Sequence, residues 1–230
     1  MRVVAYVNGH YVDLDKAVVP VEDRSCQFAD GVYEVSRFIG RRPVRLGEHL
    51  QRLEESCALL GIKGAPAAED WRRIIARLLD DSGIPHDDAF ETILYQQVSR
   101  GAAPRSHLFP PASTPPSCVA YFRIKPAYTA KQRSGGVALI SQPDERWNRC
   151  NIKSVCLLPS VLAKQAAHDA GGFEALLVRD GIVTEGSSTN AFCVRGGKIL
   201  THPDGPRILS GVTRGLAFDA AALAGIEVVL

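Results

Sequence analysis

The chain has 230 residues, enough for one large domain or two modest ones, and we expect two. Hydrophobic residues make up 46% and charged residues 23%, close to globular averages, which argues against a disordered or fibrous chain. The formal net charge is only +2, and no run of Lys and Arg offers a phosphate-binding stripe. We therefore expect no nucleic-acid partner and no acidic-membrane partner.

The N-terminal segment and the cysteines predict a cytoplasmic location. A polar break at Asn8-Gly9 interrupts the apolar run that a signal peptide would need, and no stretch is long enough to cross a bilayer. The six cysteines are scattered without a CxxC pair, which fits reduced thiols better than disulfides or a zinc site. Because His49, His168 and His202 lack metal-binding spacing, we expect no metal site.

The first half predicts a mixture of strands and helices. Alternating apolar residues around Asn8-Gly9 predict a hairpin, because both turn positions favour positive φ. Apolar residues spaced three and four positions apart predict two helices. The first helix is expected to end at Gly61 and the second at Gly83 and Pro85. The first stripe is Leu46, Leu50, Leu53, Cys57 and Leu60, and the second is Trp71, Ile74, Ile75, Leu78 and Leu79. Strands are predicted at 31–40 and 90–99, with a turn at 40–42 and a loop after residue 99.

A proline cluster at 110–116 divides the chain, since neither a helix nor a central strand passes through it. We place an N-terminal α/β domain at 1–116 and a C-terminal domain at 117–230. The second domain is predicted to contain strands, two hairpins and two helices. The strands are at 117–124 and 136–141, the hairpins turn at 180–181 and 196–197, the helices are at 157–172 and 212–224, and a strand begins at 227.

Four separated motifs carry the chemistry. They are EDRSCQFADGVYEV at 22–35, RCNIKSVCLLPSVLAKQAA at 149–167, VTEGSSTNAF at 183–192 and ILSGVTRG at 208–215. Together, and in this order, they resemble the fold-type IV enzymes that use pyridoxal phosphate (PLP). That group contains branched-chain aminotransferases, D-amino acid transaminases and aminodeoxychorismate lyase. The resemblance implies an α/β (α+β) fold of two domains with PLP bound in the C-terminal one.

Lys153 is the candidate catalytic residue. It lies in the strand-like stretch NIKSVCLL, where apolar neighbours would desolvate the amine and free it for covalent chemistry. Taken alone, such a lysine is more often a solvated loop charge. The resemblance implies that Lys153 forms the Schiff base with PLP and moves the α-proton of the substrate.

Other residues are implied to hold the cofactor. Glu185 matches the family's glutamate at the ring nitrogen, and Ser188 matches a serine on the cofactor side, although each could be an ordinary surface residue. The phosphate is expected at Gly211, Val212 and Thr213, where a helix begins and its amides point outward. The resemblance also implies that Arg52 binds the phosphate, and the alternative for Arg52 is a solvated arginine on a helix. It implies that Leu209 lies against the cofactor ring, and the alternative for Leu209 is an ordinary core leucine.

The loop PRSH at 104–107 indicates the substrate. D-amino acid transaminases carry an arginine and a histidine at this spacing, here Arg105 and His107. The resemblance implies that these residues form, with Tyr33, a trap for the substrate α-carboxylate, and in the family the loop comes from the partner subunit of a homodimer. A guanidinium grips a carboxylate with two hydrogen bonds, and the phenol and imidazole add donors. The alternative is a loop arginine and histidine that are merely exposed.

The predicted activity is amino transfer from a D-amino acid such as D-alanine to a 2-oxo acid such as 2-oxoglutarate. The alternatives are an L-specific branched-chain aminotransferase or an aminodeoxychorismate lyase, against which the PRSH loop argues. The relatives continue past the position of Leu230, so the C-terminal part is expected to be truncated relative to the family. A truncated, non-catalytic PLP-binding remnant is therefore a further alternative.

Overall fold

The structure is a computed structural model that describes residues 3–125 and 130–230. The chain divides into two compact units. The first comprises Met1–Ala127 with Lys153–Val155, and the second comprises Tyr128–Ile152 with Cys156–Leu230. Within the described ranges, no helix combines the length and apolar character that a membrane crossing needs.

The first unit contains one antiparallel sheet and three α-helices. Its strands are β1 (Val4–Val7), β2 (His10–Asp13), β3 (Gly31–Ile39), β4 (Arg42–Pro43), β5 (Glu91–Ser99) and β6 (Ser117–Ile124). Its helices are α1 (Arg24–Phe28), α2 (Leu46–Leu60) and α3 (Ala68–Asp81), with a short 3-10 turn at Leu14–Lys16. The strand order across the sheet is β2-β1-β6-β5-β3-β4.

Helices α2 and α3 cover one face of this sheet, which agrees with the predicted apolar stripes. Leu50, Leu53 and Cys57 of α2 are buried, and so are all five stripe residues of α3. Gly61 ends α2 in the left-handed conformation with φ 66°, as expected for a helix C-cap. The predicted β1–β2 hairpin also forms, with Val7 opposite His10 and Asn8 and Gly9 at positive φ.

The second unit contains two small sheets and three helices. Its strands are β7 (Leu139–Pro143), β8 (Glu174–Arg179), β9 (Ile182–Gly186), β10 (Cys193–Arg195), β11 (Lys198–Leu200) and β12 (Val228–Val229). Its helices are α4 (Ala130–Gly135), α5 (Leu158–Asp169) and α6 (Val212–Leu223). One sheet has the order β7-β8-β9 and the other β10-β11-β12. Helix α5 packs Ala163 and Ala167 against Ala175 and Leu177 of β8, which forms the core of this unit.

Two sequence expectations differ from the structure. The proline cluster predicts a boundary at 116/117, but β6 follows that point and pairs with β1 and β5, so the first unit extends to Ala127. Proline-rich residues 110–116 form a loop that returns the chain to the same sheet. The stretch around Lys153 is strand-like in sequence, but it forms only a single antiparallel bridge, from Ser154 to Val32. Three residues of this stretch, Lys153–Val155, thereby join the first unit.

Candidate active site

Lys153 lies alongside the first residues of β3. Its carbonyl oxygen accepts a hydrogen bond from the Tyr33 N–H at 2.9 Å, and its own N–H donates to Ser56 Oγ of α2 at 3.2 Å. The side chain is half-buried, and Nζ lies 4.3 Å from the centroid of the Tyr33 ring. The backbone is therefore fixed on both sides, and the amine is held against an aromatic face.

A buried carboxylate, Glu34, accompanies this lysine in the first unit. Glu34 is 0% exposed, and its carboxylate accepts hydrogen bonds from Arg52 Nε at 2.6 Å, Arg52 Nη2 at 2.9 Å and His49 Nδ1 at 2.7 Å. Burial alone would raise the pKa of Glu34, but the hydrogen bonds from His49 and Arg52 and the charge of Lys153 hold it below its ordinary value. The carboxylate is thus kept ionised among cations.

Arg52 is predicted to bind the cofactor phosphate, and the structure shows it gripping Glu34 with two of its nitrogens. A guanidinium carries five N–H donors, so this pair does not exhaust its capacity. The pair does fix the orientation of the Arg52 side chain, which is only 12% exposed. Its contact with a phosphate stays a prediction.

Arg105 and His107 meet at the ring of Phe28, the last residue of α1. The Arg105 guanidinium carbon lies 5.1 Å from the centroid of this ring, and the His107 ring lies 5.4 Å away at an interplanar angle of 63°. Both side chains are exposed. Tyr33, the third predicted member of the carboxylate trap, stacks on Tyr95 at 6.0 Å. The structure therefore places Arg105 with His107, and Tyr33 with Lys153.

In the second unit, Glu185 of β9 is buried and held on several sides. Its carboxylate pairs with Arg146 Nη1 and accepts from Asn190 Nδ2 at 2.9 Å and from the Leu209 N–H at 3.2 Å to each oxygen. Burial raises the pKa of Glu185 above its ordinary value, although Arg146 and the Leu209 amide act in the opposite direction. Leu209, which is predicted to touch a ring through its side chain, contributes a backbone donor here.

Arg146 is shared between Glu185 and a second buried carboxylate, Asp144. Its Nε and Nη2 each donate to Asp144 at 2.9 Å. Arg179 Nη2 lies 3.1 Å from the same carboxylate, and the Thr184 hydroxyl donates to it at 2.9 Å. Burial would raise the pKa of Asp144, but the bonds and charge of Arg146 lower it to about 2. This network fixes the position of Glu185 through Arg146.

The hydroxyl of Ser188 is directed at Glu174 of β8. Ser188 Oγ donates to Glu174 Oε2 at 2.8 Å, and Ser187 Oγ also pairs with this carboxylate, which is 4% exposed. Burial would raise the pKa of Glu174, and the two serine hydroxyls bring it below its ordinary value. Because Ser188 donates its hydroxyl proton to Glu174, it could bind the predicted cofactor only by accepting a hydrogen bond through its oxygen.

Gly211 precedes α6 at the predicted phosphate position. A Cβ at Gly211 would lie 2.1 Å from Asn190 Oδ1, so only glycine fits beside the side chain that ties Glu185 to the Leu209 carbonyl. No side chain caps the helix that opens with Val212 and Thr213. The first amides of α6 therefore provide donors and positive potential suited to an anion.

Several residues with roles in these clusters were not predicted from the sequence. They are Glu34, His49, Asp144, Arg146 and Glu174. Glu34 could have been found, because it occupies an inward-facing position of β3 between Val32 and Ser36, where an unpaired carboxylate would be costly. For Asp144 and Arg146, nothing in the local pattern indicates that they meet Glu185, about forty residues later in the chain.

Known proteins resemble this chain in sequence over most of its length. The family model described as class IV amino-transferase matches residues 31–230. A D-alanine aminotransferase of Bacillus licheniformis is 40% identical over 213 residues, 90% of this chain and 71% of the relative. One from Listeria monocytogenes serotype 1/2a (strain 10403S) is 36% identical over 233 residues, 96% of this chain and 75% of the relative.

A solved structure shows the same fold. The branched-chain aminotransferase of the archaeon Thermoproteus uzoniensis, solved with norvaline, has a TM-score of 0.85 at 23% identity, covering 98% of this chain and 76% of that one. This likeness confirms the fold-type IV architecture that the four motifs predicted. The family match covers the lysine motif, the glutamate motif and the phosphate motif alike. The chain therefore belongs to the class IV amino-transferases.

Proposed function

We propose that this enzyme transfers the amino group of a D-amino acid such as D-alanine to a 2-oxo acid such as 2-oxoglutarate, with PLP as cofactor. The observation that carries the proposal is the 40% identity to the D-alanine aminotransferase of Bacillus licheniformis over 90% of the chain. The sequence adds the PRSH loop, with its arginine and histidine, to that likeness.

The donor set of the chain fits PLP. A half-buried amine, Lys153, matches the need for a covalent attachment point, and a buried carboxylate, Glu185, matches a protonated ring nitrogen. The uncapped start of α6 at Gly211 suits a phosphate. We assign Lys153, Glu185, Gly211, Val212 and Thr213 to the cofactor. Three further residues complete the set: Arg52 on the phosphate, Ser188 through its oxygen, and Leu209 against the ring.

When bound, PLP supplies an aldehyde that takes up an amino group and a ring that draws electrons from the substrate α-carbon. Lys153 would hold the cofactor through its amine, and the same amine would take the α-proton of the substrate and return it. The backbone bonds from Tyr33 and to Ser56 keep this lysine in one place while its side chain moves. Glu185 would hold the ring nitrogen in its protonated form, because a buried carboxylate is stabilised by a neighbouring cation.

Arg105, His107 and Tyr33 would bind the substrate α-carboxylate. Binding this group in a fixed place decides which face of the α-carbon meets Lys153, and so which enantiomer loses its proton. The guanidinium provides the charge, and the imidazole and phenol provide additional donors. The D-preference therefore depends on these three side chains.

A half-reaction measured by absorbance tests the proposal. The purified chain is reconstituted with PLP, and D-alanine, L-alanine and L-leucine are added separately. We expect D-alanine alone to shift the cofactor absorbance and to release pyruvate. Lys153→Ala should abolish both, whereas Lys16→Ala, at a side chain 73% exposed and paired with Asp13, should behave as the unaltered enzyme.

The other outcomes identify the alternatives. Conversion by L-leucine but not by D-alanine would indicate a branched-chain aminotransferase, a candidate favoured by the solved structures of that activity with this fold. Conversion of aminodeoxychorismate, supplied in a separate reaction, with no conversion of the three amino acids would indicate a lyase. Uptake of PLP without conversion of any amine would indicate a non-catalytic PLP-binding remnant. The homodimer and the cytoplasmic location stay predictions from the sequence.

A further inference from the structure

The loop that carries Arg105 and His107 is fastened to the segment around α1. The Arg24 N–H donates to the Gly101 carbonyl at 3.0 Å, and Asp23 forms a bridge with Ala102. The Asp23 carboxylate also accepts from Ser99 Oγ at 3.0 Å. The beginning of the loop therefore has a fixed position relative to α1.

Arg24 holds the loop further along, at the residues on either side of His107. Arg24 is 4% exposed, and its Nη1 donates to the carbonyl of Ser106 at 2.7 Å and to that of Leu108 at 3.3 Å. Its Nε donates to Asp30 at 2.8 Å. A buried guanidinium paired in this way has little freedom, so the backbone at His107 is fixed as well.

Arg100 completes the anchor through the same acid. Its Nε and Nη2 donate to the two oxygens of Asp30 at 2.8 and 2.9 Å. Burial would raise the pKa of Asp30, but the hydrogen bonds from Arg100 and Arg24 lower it. The Asp30 carboxylate thus connects Arg100, which precedes the loop, to Arg24, which binds the middle of the loop.

The Arg105 and His107 side chains are exposed and would be mobile without a contact that orients them. Phe28 provides that contact: Arg105 lies 5.1 Å and His107 5.4 Å from its ring centroid, and Arg24 lies 4.6 Å from it. The face of an aromatic ring attracts a guanidinium, and an edge-on approach suits an imidazole. The half-buried Phe28 ring thereby orients both the Arg105 and the His107 side chain.

We propose that Phe28 is a positioning residue for recognition of the substrate carboxylate, its ring holding the Arg105 and His107 side chains in the geometry that binds this group. The inference rests on the proposed function, because it takes Arg105 and His107 as the carboxylate-binding residues. Phe28 does not bind substrate itself; it reduces the conformational freedom that Arg105 and His107 lose when the carboxylate binds.

The test compares substitutions that keep or remove the ring in the PLP-loaded enzyme. Phe28→Leu should raise the KM for D-alanine and the inhibition constant of propionate, a carboxylate without an amine, by about threefold to fivefold. Its kcat should change by less than about twofold, because the lost interaction concerns binding. Phe28→Tyr should restore both constants, since it keeps the aromatic face. Phe28→Met serves as the ring-less variant if the leucine variant does not accumulate.

Two comparisons separate a positioning role from packing. The first is Tyr11→Leu on the edge strand β2, which also removes an aromatic ring that lies against an arginine, with the Arg77 guanidinium carbon 3.9 Å from the ring centroid. This change should leave the KM for D-alanine and the inhibition constant of propionate unchanged. In an Arg105→Ala/His107→Ala background, Phe28→Leu should add no further effect, because the side chains through which it acts are gone. Equal constants for the leucine and tyrosine variants, or an undiminished effect in that background, would overturn the inference.

Failure of the inference and failure of the proposed function give different results. If Arg105→Ala/His107→Ala weakens propionate binding and Phe28→Leu does not, the carboxylate site stands and the role of Phe28 is refuted. If Arg105→Ala/His107→Ala leaves propionate binding and the KM for D-alanine unchanged, the assigned carboxylate site is refuted, and the role of Phe28 with it.

Discussion

Replacing Glu34 with glutamine should destabilise the fold strongly, because it removes one partner of a fully buried ion pair. Glu34 is 0% exposed and accepts three charge-assisted hydrogen bonds, two from Arg52 and one from His49. Breaking a buried pair on one side costs about 3 to 5 kcal/mol, because a charge remains without compensation. Glutamine keeps one oxygen acceptor, so we expect a loss of about 3 kcal/mol in the free energy of unfolding.

Thermal unfolding without added cofactor, followed by circular dichroism at neutral pH, measures this loss. For a chain of this size each kcal/mol lowers Tm by about 2 to 4 °C, which gives an expected decrease of about 6 to 12 °C. The matched control is Glu91→Gln on β5, which breaks a more exposed ion pair with Arg37 of β3, the strand that also carries Glu34. Side chains of that pair are 27% and 46% exposed, so its loss should lower Tm by less than about 2 °C. Equal shifts for the two variants would refute the argument.

The pH dependence gives a second, independent check. The pKa of Glu34 lies below its ordinary value of 4.5, so the ionised carboxylate contributes its full stabilisation above about pH 4.5. That contribution is lost as the pH falls through the lower, folded pKa. The difference in unfolding free energy between the unaltered chain and Glu34→Gln, from urea titrations, should be constant above this pH and narrow below it. A difference that widens in acid would contradict the assigned direction.

Two further predictions concern the loop that carries Arg105 and His107. Gly101→Ala should lower the free energy of unfolding by about 2 to 4 kcal/mol, because φ is +94° and the new Cβ would lie 2.1 Å from the Pro115 carbonyl oxygen. The control is Gly83→Ala, at φ +61° with no atom within 4 Å of the new Cβ, which should lower it by about 1 kcal/mol. Denaturant titration measures both values. If the loop contributes to the site of the partner subunit, mixing equal amounts of Lys153→Ala and Arg105→Ala chains should restore about one quarter of the activity. Half of the dimers are then mixed, and one of the two sites in each mixed dimer is complete. No recovery of activity on mixing would place the loop at the site of its own chain.

The local elements of this fold follow from local chemistry, and for that reason the sequence predicted them. Asn8-Gly9, Asp180-Gly181 and Gly196-Gly197 all adopt positive φ and all turn hairpins. Both stripes of the first unit became helices, because spacing at three and four buries one face whatever the partner. These features require no knowledge of distant residues.

The pairing of distant segments could not be predicted in this way. Strand β6 inserts between β1 and β5, over a hundred residues from β1, and a proline cluster in the intervening loop suggested a domain boundary instead. Lys153 joins the first unit through the bridge between Val32 and Ser154 and through a hydrogen bond from its N–H to Ser56 Oγ, and neither contact leaves a periodic pattern in the sequence. Motif resemblance predicted roles for Lys153 and Glu185, but it gave no information on the buried carboxylates around them.

Two of the buried glutamates, Glu34 and Glu185, show how the partners of a carboxylate determine its pKa. Glu34 and Glu185 both lie on strands and both pair with an arginine, yet the pKa of Glu34 is lowered and that of Glu185 is raised. Arg52 donates twice to Glu34, and His49 and Lys153 add to its stabilisation. Arg146, in contrast, gives two of its bonds to Asp144, whose negative charge also opposes ionisation of Glu185. Glu185 is thus the carboxylate that would gain most from a further cation, which is the property that a partner for a protonated ring nitrogen requires.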